Sequence, residues 1–197
     1  MALGEQAKLL TPWQESLVLH HLLMTRHPKR DRVMYLLGIK NRIGAQQLTP
    51  VTGSMVTDAD GTIDTEIALE NTASKGTYGG RSVSVHRTLR EALIALLSVL
   101  SFKAKPSARV VYSERGSGMS AAGLANRFVR RYATPGMQGC SSHSGRRPFV
   151  TNAARKFVQA GRNLRNIQKI ARHRDMSTAQ RTIEGGSDAK RRVVDMV

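Results

Sequence analysis

Two kinds of hydrophobic pattern alternate along the chain: apolar residues at helical spacing, and short stretches in which every second residue is apolar. Thr11-Pro12-Trp13-Gln14 opens the first helical stretch. Thr11 is a capping residue, Pro12 suits the first helical position, and Gln14 completes a capping-box spacing. Trp13, Leu17, Val18, Leu22 and Met24 are expected on the inward side of that helix. After a basic turn around Pro28, residues 30–39 predict a second helix with Val33, Met34, Leu36 and Leu37 apolar. Residues 40–56 read as a loop and a short helix leading into a strand.

The alternating pattern begins after a turn at residues 58–61 (DADG). Ile67 and Leu69, then Val83 and Val85, alternate with polar neighbours. The turn-rich segment between them predicts a β-hairpin with Lys75 near its tip. Thr88-Leu89-Arg90-Glu91 has capping-box spacing and precedes Leu93, Leu96, Leu97 and Leu100, a second amphipathic helix signal. Val110-Val111-Tyr112 reads as a short strand. Ser120 reads as the cap of a helix with Leu124 and Phe128 inward and Arg127, Arg130 and Arg131 on the remaining surface. In the last third, helices are expected from Ser144 to about Gln159, from Asn163 with Leu164, Ile167 and Ile170 inward, and from near Ser177. Helices, a small antiparallel sheet, then helices again imply one α+β domain, mostly helical, over residues 11–197 behind a short tail of residues 1–10.

Composition narrows the partner. The 197 residues include 31 Lys and Arg against 14 Asp and Glu, a net charge of +17. From His143 onward there are 13 basic and 4 acidic residues, so the last part of the chain holds +9 of that excess. Such a balance favours a polyanion, and double-stranded DNA is the expected partner. No apolar run is long enough to span a bilayer and the N-terminus has no signal-peptide pattern, so no membrane role and a cytoplasmic location are expected. Cys140 is the single cysteine, which excludes an internal disulfide and a multi-cysteine metal site. No cofactor is expected. His20 and His21 have no third ligand nearby and read as structural. No acidic cluster suited to metal ions accompanies the histidines, which disfavours a hydrolytic nuclease.

The densest candidate chemistry lies in residues 141–183. His143 and Arg146 have H-x-x-R spacing, suited to gripping a phosphate, and His173 follows. The runs Ser142-His143-Ser144-Gly145-Arg146-Arg147, Ala171-Arg172-His173 and Ser177-Thr178-Ala179-Gln180-Arg181 together resemble the C-terminal signature of the tyrosine recombinases, or phage integrases. With the Lys75 hairpin and Ser54-Met55-Val56 upstream, the resemblance covers most of the chain from about Thr11. It implies the mostly helical recombinase catalytic-domain fold with a small antiparallel sheet. It also implies DNA strand breakage and rejoining through a phosphotyrosine, without metal or ATP. By position, Lys75 would protonate the leaving 5′-oxygen, His143 and Arg146 would hold the phosphate, and His173 would be the second pocket histidine.

Three positions depart from that pattern. Gly44 falls where the first arginine of the family belongs, with Gln47 in place of an acid and Arg42 two residues away. Thr182 falls where the nucleophilic tyrosine belongs. Pro148 interrupts the first turns of the helix expected to carry Arg146. The expectation is therefore a recombinase-like protein from a prokaryotic mobile element, with strand transfer impaired or absent. It would act on DNA by itself, by self-association or beside active recombinase subunits. The alternative is a non-enzymatic basic DNA-binding or regulatory protein.

Overall fold

The computed structural model describes residues 10–41, 43–69, 81–100, 105–115, 118–140 and 144. Backbone contacts divide the chain into two compact units, Met1–Arg146 and Arg147–Val197, and every described residue lies in the first. The helices expected after Ser144 lie outside the described residues.

Helix α1 (Pro12–Leu22) starts as its sequence dictates. Thr11 Oγ1 accepts from the Gln14 amide at 3.2 Å, and Gln14 Oε1 accepts from the Thr11 amide at 2.9 Å. Its inward side is narrower than expected. Val18 and Leu22, one turn apart, are fully buried, whereas Trp13 is 70% and Met24 75% exposed. Trp13 and Leu17, with Met24 just past the helix end, lie on the other flank, where the described residues do not cover them fully; five residues spread over so wide an arc cannot all face one core.

Helix α2 (Pro28–Ile39) begins two residues earlier than expected, because Pro28 takes the first helical position. It is buried on nearly every side, with Val33, Met34, Tyr35, Leu36, Leu37 and Ile39 all in the core. That is the packing an all-round apolar helix requires. It contacts α1, the short α3 (Ala45–Leu48), and α4 (Arg87–Leu97). Helix α5 (Ala121–Ala133) contacts α1 and α3. Ser120 caps α5 by accepting from the Gly123 amide at 3.0 Å, and Leu124, Phe128 and Tyr132 turn inward.

Between α3 and α4 stands an antiparallel pair, β1 (Glu66–Leu69) and β2 (Arg81–Ser84), in register Ile67 to Val83. Ile67 and Leu69 point into the core while Glu66 and Ala68 face out, as the alternation predicted. The segment carrying Lys75 lies outside the described residues. The turn at 58–61 forms with Gly61 at φ 80°, and Asp58 accepts from the amides of Asp60 and Thr62.

Two local expectations change. Residues 52–57 form a 3-10 turn (Gly53–Met55) with isolated bridges at Thr52 and Thr57 in place of a strand. The cap of α4 is His86, whose Nδ1 accepts from the Thr88 amide at 3.2 Å; Thr88 is inside the helix. Val110 and Val111 are buried but contribute only bridges at Arg109 and Tyr112.

Candidate functional site

Of the positions expected to differ from the recombinase pattern, Gly44 and Gln47 lie among the described residues. Gly44 caps α3 with extended backbone, φ −71° and ψ 163°, a conformation open to any residue. Its carbonyl accepts from Gln47 and Leu48 at 2.8 and 2.9 Å. A Cβ built there would meet no described residue within 4 Å. Among the described residues the space a side chain would enter is open, and backbone strain does not demand glycine. The segment around it is well anchored. Ile43 and Leu48 are buried on either side, and the Ile43 amide donates to the Leu37 carbonyl at 3.1 Å. Just beyond α3, the Val110 amide donates to Val51 at 3.0 Å, Gly53 to Ala108 at 2.9 Å, and the Arg109 guanidinium to the Pro50 carbonyl.

Lys75, His143, Arg146, His173 and Thr182 lie outside the described residues, as do Arg42 and Pro148. Ser144, between His143 and Arg146, is buried. A residue that sequence reasoning missed sits three positions before Gly44. Asn41 is buried and its Nδ2 donates to the Ser84 carbonyl at 2.7 Å, tying the end of α2 to β2. Its Oδ1 has no hydrogen-bond partner among the described residues. Nothing in the local pattern signals it.

The described tyrosines are structural. Tyr35 and Tyr132 are each 1% exposed, with ring centroids 6.0 Å apart, edge to face. Burial pushes both phenols above the ordinary tyrosine range, and their proximity to one another raises Tyr35 further. Tyr112 is half-buried, edge-on to His27 at 6.1 Å, with the Arg30 guanidinium 5.2 Å from its ring centre. None of the three is presented as an accessible nucleophile. Tyr78 lies outside the described residues.

No protein-family model matches the sequence, and no curated protein matches it significantly. Solved structures do match. XerA recombinase superposes with a TM-score of 0.71 at 17% identity, over 96% of this chain and 65% of that one. XerH site-specific recombinase bound to a palindromic difH substrate gives 0.71 at 16%, over 98% and 54%. The Tn1549 transposon integrase in complex with transposon right-end DNA gives 0.60 at 19%, over 91% and 62%. The chain has the tyrosine-recombinase catalytic-domain fold. The α+β architecture with a small antiparallel sheet is thus as the sequence led us to expect. The chain spans between about half and two thirds of the length of these recombinase structures.

Five of the described arginines show two contrasting arrangements. Arg30, Arg127 and Arg131 are drawn inward to Asp31 and Glu114. Arg26 and Arg87 stay 81% and 90% exposed at their side chains, although each approaches a carboxylate. The reading of Arg127 and Arg131 as surface decoration is corrected: each reaches the fully buried carboxylate of Asp31. Among the described residues no cluster of His, Cys, Asp or Glu is arranged to hold a metal, and no helix is long and apolar enough to cross a membrane.

Proposed function

We propose that this protein binds double-stranded DNA as a recombinase-type catalytic domain whose strand-transfer chemistry is impaired or absent. The glycine at position 44, where the resemblance would put the first phosphate-gripping arginine, carries the reading. The recombinase fold and the net charge of +17 support the choice of partner.

In this reading Lys75 stands where the general acid acts on the leaving 5′-oxygen. His143 and Arg146 hold the phosphate, and His173 supports the pocket. Two arginines and a histidine would share the charge that builds on the non-bridging oxygens. Loss of one such group costs on the order of 10²–10³ in rate. Thr182 occupies the nucleophile's place. Its hydroxyl is shorter-reaching than a phenol and far less acidic than tyrosine, whose ordinary pKa is about 10. Losing the nucleophile removes the covalent route itself. Such a protein acts as a DNA-binding partner, alone, paired with itself or beside active recombinase subunits, in the setting of a prokaryotic mobile element.

The test uses suicide DNA substrates carrying recombination sites, with covalent protein–DNA adducts read by denaturing gel. The natural chain and the Thr182→Tyr variant are expected to give no adduct. Thr182→Tyr with Gly44→Arg is expected to give one. An adduct formed by the natural chain defeats the impaired reading. DNA affinity that is unchanged by substituting His143 and Arg146 favours a non-enzymatic basic DNA-binding protein with no phosphate pocket.

A further inference from the structure

Among the described residues, little covers one apolar side of helix α1. Trp13 is 70% exposed, Leu23 53% and Met24 75%, while Leu17 between them is half-buried, with part of it packed against the core. The opposite flank, Val18 and Leu22, is buried. Past Leu22 the chain keeps turning, with the Leu23 amide donating to His20 at 3.0 Å and Met24 to His21 at 3.1 Å. Met24 therefore stays close to the line of the helix. Trp13, Leu17, His20 and Met24 follow a 4-3-4 spacing, the seam pattern by which one helix packs against another. Single exposed apolar side chains need no explanation; several on one helical line do.

Charge argues for what covers it. Between Thr11 and Met24 the sequence has no lysine or arginine, and its one acid, Glu15, pairs with Lys40 at 2.6 Å. This face has no lysine or arginine to meet a phosphate. In a chain of net charge +17 it is also a surface where two copies approach with little repulsion. The 4-3-4 spacing is symmetric about its own centre. We propose that this face pairs antiparallel with the same face of a second copy across a two-fold axis. Trp13 then meets Met24 of the second copy in a sulfur–aromatic contact, and Leu17 meets its His20. Antiparallel helix dipoles favour the arrangement. The uncovered side chains amount to roughly 400 Å² per copy, about half the ~800 Å² per partner of a stable interface. The pair is accordingly weak and reversible. It becomes populated at high concentration or when two copies are held close together. The proposal does not depend on the catalytic reading.

Trp13 is the single tryptophan of the chain, so its fluorescence reports directly on this face. Sedimentation and tryptophan emission are measured on the full chain from about 1 μM to about 1 mM, the range of a weak complex. The expected result is a reversible monomer–dimer equilibrium with an emission blue shift that tracks the dimer. Met24→Gln is expected to weaken dimerisation at least tenfold while leaving the unfolding temperature at low concentration unchanged. Leu17→Lys is expected to abolish dimerisation. A chain that stays monomeric throughout the range, a dimer indifferent to Met24→Gln, or a blue shift that appears only when DNA is added to a monomer would overturn the proposal.

Discussion

Arg131 donates to Asp31 at 2.7 Å across a hundred residues of chain. The contact joins α5 to the first turn of α2, and it is one of several on the same carboxylate. Arg30 Nε donates to Asp31 Oδ1 at 3.0 Å, and Arg127 Nε lies 3.6 Å from it. The Arg30 and Asp31 side chains are both fully buried. Arg30 also donates to the Tyr112 carbonyl at 3.0 Å, so the network ties three separate stretches of chain together. A buried charge is tolerable only when paired and hydrogen-bonded.

Asp31→Asn should therefore be costly although it hardly changes volume. It leaves the buried Arg30 guanidinium without its main counter-charge and weakens the hold on Arg131. Breaking one partner of a buried pair typically costs ~3–5 kcal/mol. Urea unfolding should show a loss of that order with the m-value little changed. A loss below about 1 kcal/mol would mean that Glu114 and solvent compensate.

This network also shows where sequence reading stops. The starts of α1 and α5 were legible because Thr11 with Gln14 and Ser120 act over three residues. The strand pair was legible because Ile67 and Leu69 alternate with polar neighbours. The inward turn of Arg127 and Arg131 was not, since their partner Asp31 lies in a different helix about a hundred residues earlier. Trp13 and Met24 failed differently. Both α1 flanks are apolar, and periodicity cannot say which of two apolar faces the core takes. At position 44 the resemblance marked a residue to look at, but only the coordinates show that no described residue crowds a side chain there.

Gly38→Ala tests the close approach of α2 to Phe128 on α5. A Cβ at Gly38 would lie 3.0 Å from Phe128 Cζ. Phe128 is 1% exposed and packs beside Tyr35 and Tyr132, so its ring has little room to retreat. Overpacking of this kind costs ~1–3 kcal/mol, and the better helix propensity of alanine returns at most about 1. The expected outcome is a lower melting temperature, by a few degrees. A higher one would show that Phe128 shifts freely.

Glu114 sets an acid limit. Its carboxyl is held down to about 2, chiefly by the hydrogen bond with His27 at 2.6 Å, then by Arg127 and Arg30. A depressed folded pKa means a contribution fully present above the ordinary carboxylate value near 4.3 and lost as pH falls towards about 2. Unfolding measured from pH 5 down to about 2 should steepen in the natural chain relative to Glu114→Gln. Parallel curves for the two proteins would remove Glu114 from the acid transition.

His86 acts in a separate, higher window and with its own sign. Its Nδ1 accepts from the Thr88 amide at 3.2 Å to cap α4, and a protonated Nδ1 cannot accept. Burial lowers its pKa first, then the nearby Lys40 charge and Arg87, against the opposing pull of Glu15 and Glu91. The folded protein thus binds this proton less readily than the unfolded chain. The cap's contribution is complete above the ordinary histidine value of about 6.5 and fades as pH drops through the lower folded value. Because the ring is partly exposed, solvent screening limits the effect, and the ceiling is that of an N-cap, up to about 1 kcal/mol. His86→Ser keeps a capping oxygen and removes the titration. The difference in unfolding free energy between natural chain and variant should therefore be nearly constant above pH 7 and move in favour of serine as pH falls from about 6.5 towards 5. A difference independent of pH would show that the Nδ1 cap contributes nothing, whatever the geometry suggests.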